Sequence, residues 1–352
     1  MSKFLHFSLG IFYNRSERRL RALWRLLIGI FLGLLILSAL NTLAGYILAF
    51  LLMLTAQVPF NALGNPGELS QDINAIVTRL PLLIGVRWLI LLLLVGLAII
   101  LLARWIDRRP WQSYGFHFKA SWWRDFAAGL FLGMVLMGLI FGCEYLLGWV
   151  SVRGVFENDQ PQLPFWQLLI DGLIYFVLVG LREEWFFRGF QIKNLAEGLH
   201  FPRISSKASV LISYFLVSII FGFLHAANPN ATLVSSLNII LIGLFLGLSF
   251  ILTGELALPI GLHIAWNFAQ GYVFGFPVSG NATHISLLAT QQTGPVLWTG
   301  GAFGPEGGLI SVVAALLGIL LVYGWVRWTH RQVSVQNELA QYLPSHPKPE
   351  KA

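Results

Sequence analysis

Three short stretches of this chain set reactive residue types inside apolar sequence. In LREEWFFRGF (residues 181–190) the adjacent carboxylates Glu183 and Glu184 close a long apolar run, and Arg188 follows Glu184 by four residues. Of eight histidines, His225 and His263 are the two embedded in apolar sequence; the rest fall in tails, loops or at the ends of apolar runs. Phe221 precedes His225 by four residues and Asn267 follows His263 by four, so each pair shares one helix face. Carboxylates beside imidazoles can activate water, relay protons or ligate a metal, and a carboxamide can donate to a developing oxyanion. Glu184 and Arg188 share a face and can pair, whereas Glu183 points about 100° away and is left free.

Each residue alone has a blander explanation. A buried histidine commonly bridges two helices, a Glu–Arg pair is often a structural clamp, and an asparagine can be interhelical glue. The conjunction of two carboxylates, two histidines and an asparagine on three separate segments favours function. Charge within a membrane span is costly and marks catalytic sites, ion pathways and proton relays alike. A hydrolase, a transporter or proton relay, and a non-enzymatic scaffold therefore all stay open at this point. No inverted repeat of the transporter type is visible. Glu144 and Asp171, the other acids in or near apolar runs, have no histidine counterpart and read as interface or packing residues.

The elements that must position these residues are membrane helices. The chain has 352 residues, 56% hydrophobic and only 11% charged, against about 25% charged in soluble domains. The fold class expected is all-α, a polytopic bundle of eight spans near 26–54, 80–105, 126–149, 165–192, 208–226, 232–252, 256–276 and 308–328. Basic residues concentrate in the N-terminal segment, near 104–125, near 193–207 and in the tail, while the alternate loops hold only Arg79 and Arg153. The positive-inside rule then places both termini in the cytoplasm. The net charge of +7 is thus a matter of orientation and lipid headgroups, not of nucleic acid. The single cysteine, Cys143, forbids an internal disulfide or a cysteine metal cluster. Residues 10–25 read as a helix on the interface, and the long apolar run after them reads as a retained anchor rather than a signal peptide. Residues 55–79 and 277–307 read as irregular external loops. Paired glycines such as Gly129/Gly133 and Gly243/Gly247 would let helices approach closely.

In order, EExxxR (Glu183, Glu184, Arg188), FxxxH (Phe221, His225) and HxxxN (His263, Asn267) resemble the signature of the CAAX protease and bacteriocin-processing family, which includes the type II CAAX prenyl endopeptidases. The segment RRPWQSYGF (residues 108–116) resembles an element that members often carry ahead of that core. The resemblance spans about 104–275 and implies an intramembrane endopeptidase acting on a peptide or protein substrate in the bilayer. It further implies Glu183 as general base, His225 and His263 as holders of the water or a metal, Asn267 as oxyanion donor, and Glu184 as the partner of Arg188 or a second base or ligand. Glu183, His225 and His263 would suit zinc with one open position; a metal-free glutamate mechanism is the alternative. The chain then divides into an interfacial segment (1–25), two spans (26–103), the protease-like core (104–275), an external loop (276–307), a last span (308–336) and a disordered tail (337–352). Both termini inside suit a bacterial plasma membrane and the processing of peptides or leaders. Counted from the helix ends, His225 falls deeper in the bilayer than His263, unless a recessed turn at Thr253-Gly254 levels them.

Overall fold

The computed structural model describes residues 12–54 and 82–342, save Arg15, Gln162 and Gln332, together with Asn65, Gly67, Gln71 and Ile76. The expected loop 55–79 therefore lies almost wholly outside the described residues. The protein is a polytopic helical bundle and an integral membrane protein. Its helices are α1 (Ala22–Leu54), α2 (Leu82–Leu102), α3 (Ala120–Leu146), α4 (Phe165–Glu184), α5 (Ser206–His225), α6 (Leu233–Thr253), α7 (Ala257–Phe268) and α8 (Leu309–His330). Helix α4 does not stop at Glu184. It runs on through a π-helical stretch (Trp185–Ile192) into a last α-helical segment (Lys193–Leu199).

Among the described residues, six helices are long and apolar enough to cross a membrane: α2 through α6 with their extensions, and α8. The sequence suggested eight spans. The seventh expected span, 256–276, is instead the 12-residue α7 followed by a π-helical turn (Ala269–Val273). At 1.5 Å per residue α7 is about 18 Å long, too short to span alone. Every residue from Ala257 to Asn267 is buried. An apolar helix buried on all sides belongs at the centre of the bundle.

Glycine determines how α7 is seated. A side chain at Gly129 of α3 would collide with the Leu258 carbonyl, one at Gly133 with the Leu262 carbonyl, and one at Gly261 with the Phe126 carbonyl. These three positions bring the two backbones into contact, as the Gly129/Gly133 spacing suggested.

RRPWQSYGF holds the start of α7 from below. Leu256 donates its backbone N–H to the Gly115 carbonyl, which also accepts from Trp122 Nε1. Gly115 has φ +106°, and a side chain there would press on the Glu255–Leu256 backbone. Arg109 of the same segment is buried in an ion cluster with Asp107 and Glu197, which Arg19 and Arg25 also join.

Three expectations for the connections change. Within 12–25 the chain forms a two-stranded turn, β1 (Tyr13–Asn14) with β2 (Arg19–Leu20), before α1 begins at Ala22. It is not an interfacial helix, because Arg19 and Arg25 turn inward onto Glu197 and not out to headgroups. Residues 285–292, expected to be irregular, form strand β4 (Ile285–Gln292), antiparallel to β3 (Val150–Asn158) with a bulge between Val152 and Gly154. The expected disordered tail begins with an ordered turn, Asn337–Ala340, whose Leu339 and Ala340 are buried. Tyr342 then lies under the Arg19 guanidinium, 3.5 Å from its ring centre.

Candidate active site

Glu183 and Glu184 sit at the junction where α4 becomes π-helical. Glu184 is fully buried, and its Oε1 accepts from Arg188 Nη1 at 3.0 Å and from His263 Nδ1 at 2.7 Å. A carboxylate only accepts, so the proton on His263 lies at Nδ1 and its Nε2 lone pair is left outward. Arg188 Nη2 donates to the Gly243 carbonyl of α6, and the guanidinium lies 4.6 Å from the Phe221 ring centre. Phe187 packs edge-on against the same ring. Phe221 thus joins α4 to α5, and its own carbonyl accepts from His225 Nδ1 at 2.7 Å. That bond leaves the Nε2 lone pair of His225 free as well.

The depth of the two histidines is settled by these contacts. Glu184 meets His263 directly, and Phe187, one turn further along α4, meets Phe221, one turn before His225. Leu256, the residue before α7, packs at Gly189. The short helix therefore starts well inside the bundle, which brings His263 to the level of Glu184.

Glu183 is not left free, as its helical angle suggested. Its Oε1 accepts from Arg182 Nη2 at 2.9 Å, while Oε2 lies 4.0 Å from His263 Nε2. Four ångströms is too long for a direct hydrogen bond and allows a bridging water. Spacing gives no sign of this arginine, because sequence neighbours point apart on a helix, yet a long flexible side chain can fold back. The acids also share His263 between them, so Glu184 does more than clamp Arg188.

Glu183, His225, His263 and Asn267 all border one cavity of about 920 Å³. It reaches along α4 past Tyr175 and Asp171 to Gln160 and His284 near the β3–β4 sheet. Asp171, read from sequence as a packing residue, lines this cavity; α2 approaches it at Gly85, where a side chain would strike its carboxylate. Glu144 does match a structural reading: it is buried and accepts from Gln292 Nε2 of β4.

One site residue was not anticipated. Glu306, from the loop before α8, is buried beside the histidines. Its Oε1 accepts from the backbone N–H of Ser279 and from Ser279 Oγ. Burial raises its pKa above the usual carboxylate range, opposed by the Ser279 donors and by the nearby His225 and His263. The signal in the sequence is one acid within GPEGG (residues 304–308), in a stretch that reads as irregular.

The histidine bonds through Nδ1 are of the kind that orient metal-ligating imidazoles. Even so, among the described residues no three His, Cys, Asp or Glu side chains are grouped to hold a metal ion.

A membrane bundle with buried acids, imidazoles and a carboxamide around a large cavity has the groups that hydrolysis inside a membrane needs. Residues 165–269, from the start of α4 to just past α7, match the family model described as type II CAAX prenyl endopeptidase Rce1-like. Through this segment the chain is similar to the CAAX-type intramembrane proteases. No curated protein and no solved structure gives a match.

Proposed function

We propose that this protein is an intramembrane endopeptidase that hydrolyses a peptide bond with water activated by Glu183 and without a resident metal. The observation behind this reading is the 4.0 Å gap between Glu183 Oε2 and His263 Nε2. Both atoms are acceptors, so a water between them donates one proton to each and presents its oxygen lone pair to the cavity. As that oxygen bonds to the substrate carbonyl carbon, Glu183 takes the proton and the carbonyl becomes an oxyanion. Asn267, 8% exposed and with no side-chain hydrogen bond among the described residues, is the donor for that oxyanion. The C–N bond then breaks, and the proton on Glu183 passes to the leaving amine. Glu184 keeps the His263 proton on Nδ1, so that Nε2 remains an acceptor. His225 offers a second Nε2 on the cavity wall for holding water or the polar backbone of the substrate.

The substrate class we infer is an extended peptide or a leader segment entering from the bilayer. The cavity volume falls within the range of small-molecule sites, enough for a few residues of chain. The concentration of basic residues on alternate connections supports cytoplasmic termini, and the setting we infer is a bacterial plasma membrane.

The test is cleavage of a degenerate, internally quenched peptide library by purified protein in lipid nanodiscs, with products read by mass spectrometry. Wild-type protein should release defined fragments, and Glu183→Gln, His225→Ala and His263→Ala should not. Undiminished cleavage by Glu183→Gln would end this reading.

A further inference from the structure

Beside the two histidines, and sharing His225, His263, Asn267 and Ser279 with the wall of the large cavity, lies a second space of about 20 Å³. His225, His263, Asn267, Ser279 and Glu306 border it, with Phe221 and Trp266 among the rest of its wall. A site that size holds one water if it offers polar partners, and this one offers several. Glu306 is 3% exposed, and both of its donors, the N–H and the Oγ of Ser279, go to Oε1. Among the described residues no hydrogen bond reaches Oε2. The carboxylate has its own seat: Ser279 lies in a turn with positive φ, and Ser311 Oγ donates to the Glu306 carbonyl. Glu306 and Ser279 also lie outside the segment that matches the protease family.

We propose that Glu306 is a positioning residue for peptide hydrolysis, acting through one water on the Asn267 carboxamide. This rests on the function proposed above. In its ionised form, which the two Ser279 donors and the nearby histidines favour, Glu306 can only accept, so a water in the small space donates to it and offers its oxygen to a donor. Of the Asn267 carboxamide, only the nitrogen can donate to that oxygen. The water therefore fixes which way the amide is turned and keeps its second N–H available toward the large cavity, which Asn267 also borders. Without the acceptor behind it, the amide is free to turn its oxygen toward the oxyanion, where it repels. The loop between α7 and α8 thereby completes a site whose other residues all come from helices.

Glu306→Gln keeps the size and can still accept from Ser279, but its carboxamide can also donate, so the orientation is no longer enforced. On a peptide that the wild-type protein cleaves, the expected result is a fall in kcat of about tenfold with KM changed by less than about twofold. In an Asn267→Ala background the same substitution should change kcat by less than about twofold, because the group it acts through is gone. Unchanged kcat in the single variant, or an equal tenfold loss in both backgrounds, overturns the proposal. A high-resolution structure of the wild-type protein in nanodiscs gives a readout independent of activity and of any variant's folding. It should show a water within hydrogen-bond reach of both Glu306 and Asn267, and a dry space there overturns the proposal equally. Glu183→Gln assayed alongside separates the two ideas: full activity in that variant defeats the proposed function, whereas its inactivity with an unaffected Glu306→Gln defeats only this inference.

Discussion

Helix α4 and its extension carry two clusters of buried charge about three turns apart, and they are opposites in use. Around Glu197 the acids and guanidiniums are turned onto one another. Its carboxylate takes Arg19, Arg25 and Arg109 at 2.8–3.0 Å, and Asp107 takes Arg25, Arg109, Tyr114 and Asn194. Each of the cluster's ionic side chains named here is at most 4% exposed, and the cluster does not border the large cavity. Around Glu183 the same residue types keep capacity in reserve. Glu183 is 17% accessible, two imidazole Nε2 atoms point outward, and the 920 Å³ cavity is adjacent. Burial and ion pairing by themselves thus say little about catalysis. What separates the two clusters is whether acceptors remain unused where a reactant can reach them.

Substitutions can break this contrast. The largest effect is expected at Glu183. Glu183→Gln should lower peptide cleavage by about 10³-fold, within the range for loss of a general base, with the thermal midpoint in nanodiscs nearly unchanged. Glu197→Ala should do the reverse. Leaving three guanidiniums around an empty site should cost about 3–5 kcal/mol of stability, seen as a lowered midpoint, while molecules that remain folded cleave normally.

Glu184 lies between these cases, because it is buried and ion-paired like Glu197 yet touches the reacting side. Glu184→Gln should lower kcat by about 10²-fold by releasing the His263 tautomer, and should also reduce stability by loosening Arg188. Gly261→Ala tests the scaffold alone. Its methyl group meets the Phe126 and Leu130 backbone, so a loss of about 1–3 kcal/mol is expected, with weaker cleavage as α7 shifts His263. Smallest is the effect of a metal chelator: 1,10-phenanthroline should change the initial cleavage rate by less than about twofold, in keeping with unused lone pairs that a water can fill. A loss of activity restored by zinc would instead show that the Nε2 atoms converge on a metal.

Much of this could be read from residue order. Long apolar runs mark the membrane helices because hydrocarbon leaves a backbone no other partner than itself, which forces helices of near-bilayer length. The spacings Glu184–Arg188, Phe221–His225 and His263–Asn267 singled out the site because i and i+4 share a face. Those spacings also hid two partners. Arg182 is one residue from Glu183, and Glu306 is 39 residues beyond Asn267, so neither obeys a helical period.

Sequence by itself determined that this is a helical membrane protein and which side chains are too costly to bury without compensation, since both follow from composition and local periodicity. Tertiary structure alone decided how those side chains are divided. It seated α7 deep in the bundle through glycine contacts with α3, gave Glu184 to His263, turned Arg182 onto Glu183, and brought Glu306 from a loop to the back of the site. Such choices depend on which helices approach closely and at what depth, and those are relations between segments far apart in the chain. The two glutamates of LREEWFFRGF are neighbours in sequence, but the packing around them assigns one to hold a histidine and leaves the other facing the cavity.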